Sequence, residues 1–341
     1  MAPTDPSRSD ILQLRHGVNP HLSPAYAEPV APGRSPLRVV HGTPSACNLL
    51  DALAGWQLVR EAADVLGGPA AASIKHLSPA GAALDGPVDA TMARTFRVDP
   101  DALSPVARAY VRARDADPQS SYGDLVAVSA PVDRSLAQVL RRVVSDGIIA
   151  PGYEDGAMDV LAAKKQGRYL VLAADPAFRP PERETREVFG LRIVQPYDAL
   201  LPDRDRLATT VDGAPLPDAA IADLLLGIVV AKHTQSNSVA YVRGGMTLGV
   251  GAGQQSRIGC TRIAGAKVDG WSRRRGGPAP TGLGYVSDGM VAFRDNVDEA
   301  VRHGVRWIAE PGGSARPDEV ADACAEHGIG LVRTGVRLFR H

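Results

Sequence analysis

The chain has 341 residues, and its 38 Lys and Arg balance its 38 Asp and Glu, for a formal net charge of zero. That balance leaves no overall field to attract nucleic acid or an anionic membrane, and the length allows two or three subdomains. No apolar run approaches the roughly 18 residues of a membrane span, and the polar N-terminus is unlike a signal peptide. We therefore expect a cytoplasmic protein.

The first part of the chain predicts an α/β unit over residues 11–180, after a disordered tail at 1–10. LRVV (Leu37–Val40) is typical of a strand, and a helix with an apolar stripe is predicted from Ser45. A small-residue run from Ala70 predicts a short buried strand, which we expect to end at Lys75, before a turn over Ser78–Gly81. Helices are then predicted over 101–115, 133–145 and 154–165, and a strand over Leu125–Ala130.

The second part predicts a connector over residues 181–250 and another α/β unit over 251–341. The connector holds a predicted helix at 217–232 and a hairpin turning at Gly244-Gly245. Strands alternate with helices through most of the chain, a pattern typical of a largely parallel, buried sheet. Asp124 and Asp146 fall at junctions between elements, where Asp usually caps a helix or forms a turn.

From the residues alone, the pair Lys75-His76 is the candidate for catalysis. Charge at the exit of a buried strand is expected to face a cleft, and ligands bind at such strand ends. A histidine supplies a base that titrates near neutrality, and the lysine a fixed positive donor. The alternative is a solvated lysine beside a structural histidine. Cys47, Cys260 and Cys324 lie far apart without a CxxC motif, so neither zinc nor a disulfide framework is expected.

Five ordered motifs resemble the AICAR transformylases, the C-terminal part of a bifunctional purine-biosynthesis enzyme. They are AASIKHLSPAGAA, VSDGIIAPGYE, TQSNSVAYV, GVGAGQQSR and FRDNVD, within a resemblance that runs from LRHGVNPH to RLFRH. The resemblance implies formyl transfer from 10-formyltetrahydrofolate to the 5-amino group of AICAR. No cyclohydrolase domain precedes residue 11, so ring closure is not expected from this chain.

The resemblance assigns roles to residues. His76 is implied as the general base, Lys75 as the group that stabilises developing charge or protonates the leaving folate nitrogen, and Asn237 as the orienting amide. The implied nucleotide contacts are Arg15, His16, Gly123, Asp146, Met290 and Arg337, of which Arg15 and Arg337 bind phosphate. The implied folate contacts are Arg257, Ile258, Phe293, Asp295, Asn296, Ser314 and Ala315.

The resemblance also implies an assembly and a fold. It predicts a homodimer whose active sites lie between subunits, and two cytidine-deaminase-like units without their zinc. A buried potassium ion is implied near Thr234, Ser236, Ser238 and Asp288, although these side chains would equally cap their own turn.

Several positions depart from the family pattern. Tyrosine is replaced by His16 in RYG and by His233 in KYTQ, and asparagine by His41 in the NG loop. The Phe-Phe-Pro of the family becomes Met290-Val291-Ala292, and the segment before it is shortened to RRRGGPAPTGLGY. Because Lys75, His76 and Asn237 are retained, this pattern favours formyl transfer with an altered acceptor, for example a pyrazole-type AICAR analogue of a nucleoside-antibiotic pathway. The second alternative is a catalytically silent relative that binds folate or nucleotide.

Overall fold

The computed structural model describes residues 11–31 and 33–341, so the predicted tail at 1–10 lies outside the described residues. The helices are α1 (Ala46–Leu66), α2 (Ala90–Phe96), α3 (Pro105–Asp115), α4 (Arg134–Arg142), α5 (Ala157–Ala162), α6 (Asp218–Lys232), α7 (Arg257–Arg275), α8 (Asp295–Arg302) and α9 (Pro317–Glu326). No helix within the described ranges is both long and apolar enough to cross a membrane.

Most strands belong to one large mixed sheet. The strands are β1 (Leu12–Leu14), β2 (Ala25–Ala27), β3 (Leu37–His41), β4 (Ala70–Lys75), β5 (Ser78–Leu84), β6 (Asp124–Val128), β7 (Ser145–Ala150), β8 (Leu170–Ala174), β9 (Arg183–Val188), β10 (Leu191–Pro196), β11 (Val239–Arg243), β12 (Met246–Gly251), β13 (Leu283–Ser287), β14 (Val305–Glu310) and β15 (Gly330–Arg333). Across the described part of the chain, eleven strands pair in the order β15-β14-β13-β11-β12-β5-β4-β6-β7-β8-β3. The pairs β1–β2 and β9–β10 stand apart.

The expectation of a largely parallel sheet is wrong. Among the eleven described strands of this sheet, β6–β7–β8 and β13–β14–β15 run parallel, whereas the strands between and beside them pair antiparallel. Two hairpins, β4–β5 and β11–β12, occupy the middle of the sheet and reverse the strand direction there. Helix–strand alternation does not reveal this arrangement, because each hairpin adds two strands without an intervening helix.

The two halves of the sheet repeat one order of elements. In each half a long helix (α1 or α6) precedes a hairpin, another helix (α3 or α7) packs on that hairpin, and three parallel strands follow. The halves meet where β5 and β12 pair at Ala83 and Met246, and Leu84 N–H donates to the Gly245 carbonyl over 2.9 Å. The sheet is therefore continuous across the predicted connector, and the proposed division at 180 and 250 stays a prediction.

The turn predicted at Ser78–Gly81 is wrong, because those residues form the start of β5. The chain reverses instead at His76 and Leu77, which both have positive φ (52° and 64°). Glycine is needed at position 81 for a different reason: a Cβ there would lie 2.2 Å from the Ala113 carbonyl oxygen of α3. The predicted hairpin at Gly244-Gly245 and the helix at 217–232 are confirmed.

The long helices bury the sheet. The predicted stripe on α1 is largely confirmed, with Leu49, Trp56 and Val59 buried. The hairpin β9–β10 is not predicted by the sequence, because its charged and proline-bearing residues indicate a boundary near residue 180. Every residue of both strands is exposed. The prediction that Asp124 caps a helix or forms a turn is wrong. Asp124 is fully buried in β6 and accepts a hydrogen bond from Arg114 over 2.6 Å.

Candidate active site

Loops that carry the candidate residues meet at one edge of the large sheet, here called the site edge. At this edge, Lys75 at the end of β4 pairs with Ser78 at the start of β5. Ile74 pairs with Leu125, so the start of β6 lies beside Lys75. In the other half Val239 pairs with both Gly251 and Ser287, which brings the start of β11 beside the ends of β12 and β13. The halves touch here, since Gln235 N–H donates to Ser78 Oγ over 3.4 Å.

The Lys75 cluster, formed by Lys75, Gly123, Asp146 and Lys165, occupies the first half of the site edge. Lys75 Nζ donates to the carbonyls of Tyr122 and Gly123 over 2.9 and 3.0 Å. Gly123 has φ +72°, and a Cβ there would lie 3.2 Å from Lys75 Nζ and 3.9 Å from Asp146 Oδ1. Asp146 in turn pairs with Lys165 at 2.5 Å. The structure therefore brings three predicted site residues together.

His76 lies in the two-residue turn that joins β4 to β5, and its side chain is exposed. Both turn residues adopt the left-handed conformation that asparagine and glycine usually supply in such hairpins. The turn is held by Asp51 of α1, whose Oδ1 accepts from Leu77 N–H over 2.7 Å. Burial raises the pKa of Asp51, while that bond and the nearby charges of His76 and Lys75 oppose the rise. No motif in the sequence signals Asp51.

A buried polar layer supports the Lys75 cluster. Lys164 precedes β8, and its Nζ lies 2.5 Å from Ser145 Oγ and 4.3 Å above the ring of Tyr169. Burial lowers the pKa of Lys164 from 10.5 to about 7, although the charge of Asp124 opposes that change. Sequence reasoning missed Lys164, which lies in the loop between α5 and β8 and belongs to none of the motifs used.

The Asn237 cluster, formed by Asn237, Gln254, Arg257 and Asp288, occupies the second half of the site edge. Arg257 Nη2 donates to Asn237 Oδ1 over 3.0 Å, and Nη1 donates to the buried Asp288 carboxylate over 2.6 Å. Asn237 Nδ2 donates to the Gln254 carbonyl over 2.9 Å. Because its oxygen faces Arg257 and its nitrogen faces a carbonyl, the orientation of the amide is determined.

The other predicted folate contacts are distributed around the start of α7 and the loops after β13 and β14. Phe293 is exposed, with the Arg316 guanidinium 5.5 Å from its ring centre, and Asp295 is the exposed first residue of α8. Asn296 differs, since it is buried and accepts from Thr261 over 2.9 Å. Ile258 lies half-buried in α7, and Ser314 and Ala315 follow β14.

The predicted phosphate ligands lie in two exposed segments. Arg15 N–H donates to the Pro44 carbonyl, and the His16 carbonyl accepts from Ala46 N–H, so this loop is attached to the start of α1. Arg337 lies in the C-terminal segment, 4.6 Å from the centre of the Phe339 ring. Among the substituted positions, Met290 is 46% exposed, whereas Val291 is buried and donates to Glu310. His41 Nδ1 donates to the Tyr169 carbonyl over 2.8 Å.

Oxygen atoms gather at the end of α6, where potassium was predicted. Thr234 Oγ1 donates to the Val230 carbonyl over 2.5 Å, and Ser238 Oγ donates to the Ala231 carbonyl over 3.4 Å. Ser236 Oγ accepts from Arg340 N–H over 2.9 Å. Asp288 Oδ2 is buried and has no hydrogen-bond partner among the residues that the structure describes. Within residues 11–31 and 33–341, no three His, Cys, Asp or Glu side chains are grouped as metal ligands.

The fold and this edge define a mixed α/β protein with a polar site assembled from both halves of its sheet. Residues 4–267 match the family model described as AICARFT/IMPCHase bienzyme. The chain belongs to this family.

Two relatives named bifunctional purine biosynthesis protein PurH are similar to most of the chain. That of Roseobacter denitrificans is 37% identical over 335 residues, covering 96% of this chain and 59% of the relative. That of Cereibacter sphaeroides is 37% identical over 333 residues, with the same two shares. The chain therefore spans less than two thirds of the length of the curated relatives that it matches.

Proposed function

We propose that this chain transfers a formyl group from 10-formyltetrahydrofolate to the 5-amino group of AICAR or a close analogue. The family name and the names of the relatives support a role in purine biosynthesis. One structural observation carries the proposal to this chain: the retained Lys75, His76 and Asn237 all lie at the site edge, where the contact between Ser78 and Gln235 joins the two halves.

The reaction forms a bond between the acceptor nitrogen and the formyl carbon, and breaks the bond between that carbon and N10 of the folate. The attacking amine must lose a proton, and N10 must gain one. We assign His76 as the base that takes the first proton, because its imidazole is exposed at the tip of the turn, where it can reach the attacking amine.

Lys75 is suited to stabilise charge in the same step. An ammonium group has three protons to donate, and two are directed at the carbonyls of Tyr122 and Gly123. The third is available for the formyl oxygen or for the leaving N10. A preorganised donor of this kind typically contributes about 10²–10³-fold to the rate.

Asn237 is assigned as the orienting amide, because Arg257 and Gln254 determine the direction of its oxygen and nitrogen. Arg15, His16, Gly123, Asp146, Met290 and Arg337 are proposed to bind the nucleotide. The folate is proposed to meet Arg257, Ile258, Phe293, Asp295, Ser314 and Ala315. Asn296, also predicted to contact the folate, is buried, and its amide donates to Asp295 over 2.8 Å. We propose that it acts on the folate by holding Asp295.

A homodimer with shared sites is part of the proposal, as are two cytidine-deaminase-like units. The repeated strand order of the two halves supports the two units. The hairpin β9–β10 supports the dimer, because Phe189, Leu191 and Ile193 are exposed on it and a second copy would bury them. Each shared site is proposed to combine His76 of one subunit with Asn237 of the partner subunit. Mixing inactive His76→Ala subunits with inactive Asn237→Ala subunits should then restore activity at those hybrid sites that are fully wild type. No recovery after verified subunit exchange would contradict a shared site.

Potassium fits the oxygen atoms at the end of α6. Thr234, Ser236, Ser238 and Asp288 would hold it, and the buried, unpartnered Asp288 Oδ2 is the feature that calls for a cation. The ion would supply a partner for the second oxygen of Asp288, whose first oxygen already accepts from Arg257. Hydroxyl and carboxylate oxygens are the donors that such hard cations prefer.

An altered acceptor is favoured by one observation: Met290, where the family has an aromatic residue, is exposed beside Arg257, whose Nε donates to its carbonyl over 2.9 Å. A cytoplasmic location is part of the same proposal. The direct test incubates purified protein with 10-formyltetrahydrofolate and AICAR, and with a pyrazole carboxamide ribotide. Formylated product and free tetrahydrofolate are expected; failure with both acceptors would refute the proposed function.

A further inference from the structure

A buried chain of side chains joins α1, α6 and the C-terminal segment behind the Asn237 cluster. Glu61 of α1 and His233 after α6 are both buried, and Glu61 Oε2 lies 2.7 Å from His233 Nε2. His233 Nδ1 lies 2.9 Å from Arg340 Nη1. Lys232 donates to the other oxygen of Glu61 over 3.0 Å and to the Leu200 carbonyl over 2.6 Å.

These contacts determine the tautomer of His233. A guanidinium can only donate, so Nδ1 must accept from Arg340 and carry no proton. Nε2 then carries the proton and donates it to Glu61. Burial lowers the pKa of His233, against the opposing effect of the hydrogen bond that the ring donates to Glu61, which agrees with a neutral ring. The imidazole therefore bridges a carboxylate and a guanidinium through two nitrogens on different sides of the ring.

The bridge leads directly to Asn237. Arg340 N–H donates to Ser236 Oγ over 2.9 Å, and Ser236 N–H donates to the Arg340 carbonyl over 3.0 Å. Ser236 is the residue before Asn237. Any displacement of Arg340 is therefore transmitted to the segment that carries the orienting amide.

We propose that His233 is a positioning residue for formyl transfer: by accepting from Arg340 it fixes Ser236, and through Ser236 the place of Asn237. The inference rests on the proposed function. It assigns no contact with substrate to His233, which is buried behind the site.

Two substitutions separate the two hydrogen bonds of the ring. In His233→Asn the side-chain oxygen is as many bonds from Cα as Nδ1, so it can still accept from Arg340 while the bond to Glu61 is lost. In His233→Gln the amide nitrogen corresponds to Nε2, so it can still donate to Glu61 while the acceptor for Arg340 is lost. Both variants remove one ring and one hydrogen bond, and are matched in that respect.

We expect kcat of His233→Gln to fall by about 10²-fold, the effect of a small misplacement of a catalytic group, with KM changed little. His233→Asn should recover most of that loss. In parallel, hydrogen–deuterium exchange of the Ser236 and Arg340 amides should accelerate by about tenfold in His233→Gln only, as expected for the loss of a hydrogen bond to a charged group. The control is His303→Asn, which changes a buried histidine of the second half. His303 Nδ1 lies 2.9 Å from Asp269 Oδ1, and neither residue belongs to the site edge.

Equal kcat in the Asn and Gln variants, or equal exchange at Ser236 and Arg340, would overturn the inference, because a merely structural histidine does not distinguish its two nitrogens. A loss of kcat in His303→Asn as large as that in His233→Gln would overturn it as well. The exchange measurement needs no substrate. If wild-type protein formed no product, the proposed function would fail, whereas the exchange difference would still decide whether His233 fixes Ser236.

Discussion

The Lys75 cluster and the Asn237 cluster occupy different halves of the site edge and are held in different ways. In the first, Asp146 and Lys165 pair with 48% and 36% of their side chains exposed, and Lys75 is held by backbone carbonyls. In the second, Asp288 is fully buried and Arg257 is 11% exposed. Exposed pairs rearrange at little cost, whereas a buried pair resists change. We infer that the first cluster adapts to ligand and the second presents a preformed surface.

The two clusters also differ in strand direction. In the second half the site edge holds the carboxyl ends of the parallel strands β13 and β14, as is usual for ligand sites in α/β sheets. In the first half it holds the amino ends of β6 and β7 and the turn of a hairpin. Parallel-strand topology alone therefore explains only the second cluster; the Lys75 cluster depends on the β4–β5 turn.

The largest effect is expected from removing His76 and Lys75, the groups of the first half that we propose to take part in the reaction. His76→Ala and Lys75→Ala should each lower kcat by about 10²–10⁴-fold, because each removes a proton-transfer or charge-stabilising group. Thermal unfolding should stay close to wild type, since His76 is exposed and Lys75 is half-buried. Steady-state kinetics and calorimetry provide the two measurements. A near wild-type kcat in either variant would remove that residue from the mechanism.

The comparison of ion pairs is tested by matched substitutions. Asp288→Asn leaves Arg257 with a buried charge that has lost its partner, and should lower the free energy of unfolding by about 3–5 kcal/mol. Asp146→Asn removes an exposed pair and should cost about 0–1 kcal/mol. Urea unfolding of both variants measures the difference. Similar losses would show that the two clusters are equally rigid, contrary to our interpretation.

Local sequence signals predicted much of the fold and only part of the site. The apolar stripe of α1, the glycine hairpin at 244–245 and the helix before Lys232 follow from periodicity and turn residues, which are local properties. The need for glycine at position 251 could not be predicted from such local signals. A Cβ there would lie 2.2 Å from the Cys260 carbonyl, so this glycine allows α7 to pack on β12, a contact between elements.

The side chains that hold the site residues in place could likewise not be predicted from the sequence. Asp51 holds the His76 turn from 26 positions away in the sequence, and Arg340 reaches His233 across 107. Contacts between residues this far apart in the sequence produce no periodic pattern, because they arise only when the elements pack together. The resemblance to a family identified the residues of the motifs, but not the side chains that hold them.

A smaller effect is expected from Lys164, the half-buried lysine next to the first cluster. Burial lowers the pKa of Lys164 to about 7, below its usual 10.5. Between these values the unfolded chain binds a proton that the folded chain does not, so Lys164 makes stability rise as the pH increases. Lys164→Met lacks this titration.

The Tm of wild type should therefore increase relative to Lys164→Met as the pH is raised from about 7 to about 10, by at least about 2 °C, the shift that about 1 kcal/mol gives in a large domain. Calorimetry over this interval measures the difference. Lys164→Arg, which keeps its charge throughout, should show the same relative trend as the Met variant. A Tm difference that does not vary with pH would mean that Lys164 stays charged in the folded protein.

The smallest effect concerns the acceptor, and it tests whether the preformed side of the site, where Met290 lies beside Arg257, also selects the substrate. Of the three residues that replace Phe-Phe-Pro, Val291 is buried, so a change in the pocket wall must come from the exposed Met290 and the half-buried Ala292. An aromatic contact is worth about 0.5–1.5 kcal/mol beyond its buried area, equivalent to roughly a 2- to 10-fold change in kcat/KM. We therefore expect AICAR to be used less efficiently than an amino-carboxamide ribotide with a pyrazole ring.

Met290→Phe should restore part of the aromatic wall and shift the ratio of kcat/KM toward AICAR by that same factor, roughly 2- to 10-fold. The control is Val211→Phe, which adds the same aromatic ring at an exposed position outside the site residues and outside the β9–β10 hairpin, and which should leave the ratio unchanged. Because both acceptors undergo the same chemistry at His76 and Lys75, a change in the ratio reports recognition rather than catalysis. If wild type prefers AICAR and Met290→Phe does not alter that preference, Met290 takes no part in selecting the acceptor, and the departures from the family do not change the substrate.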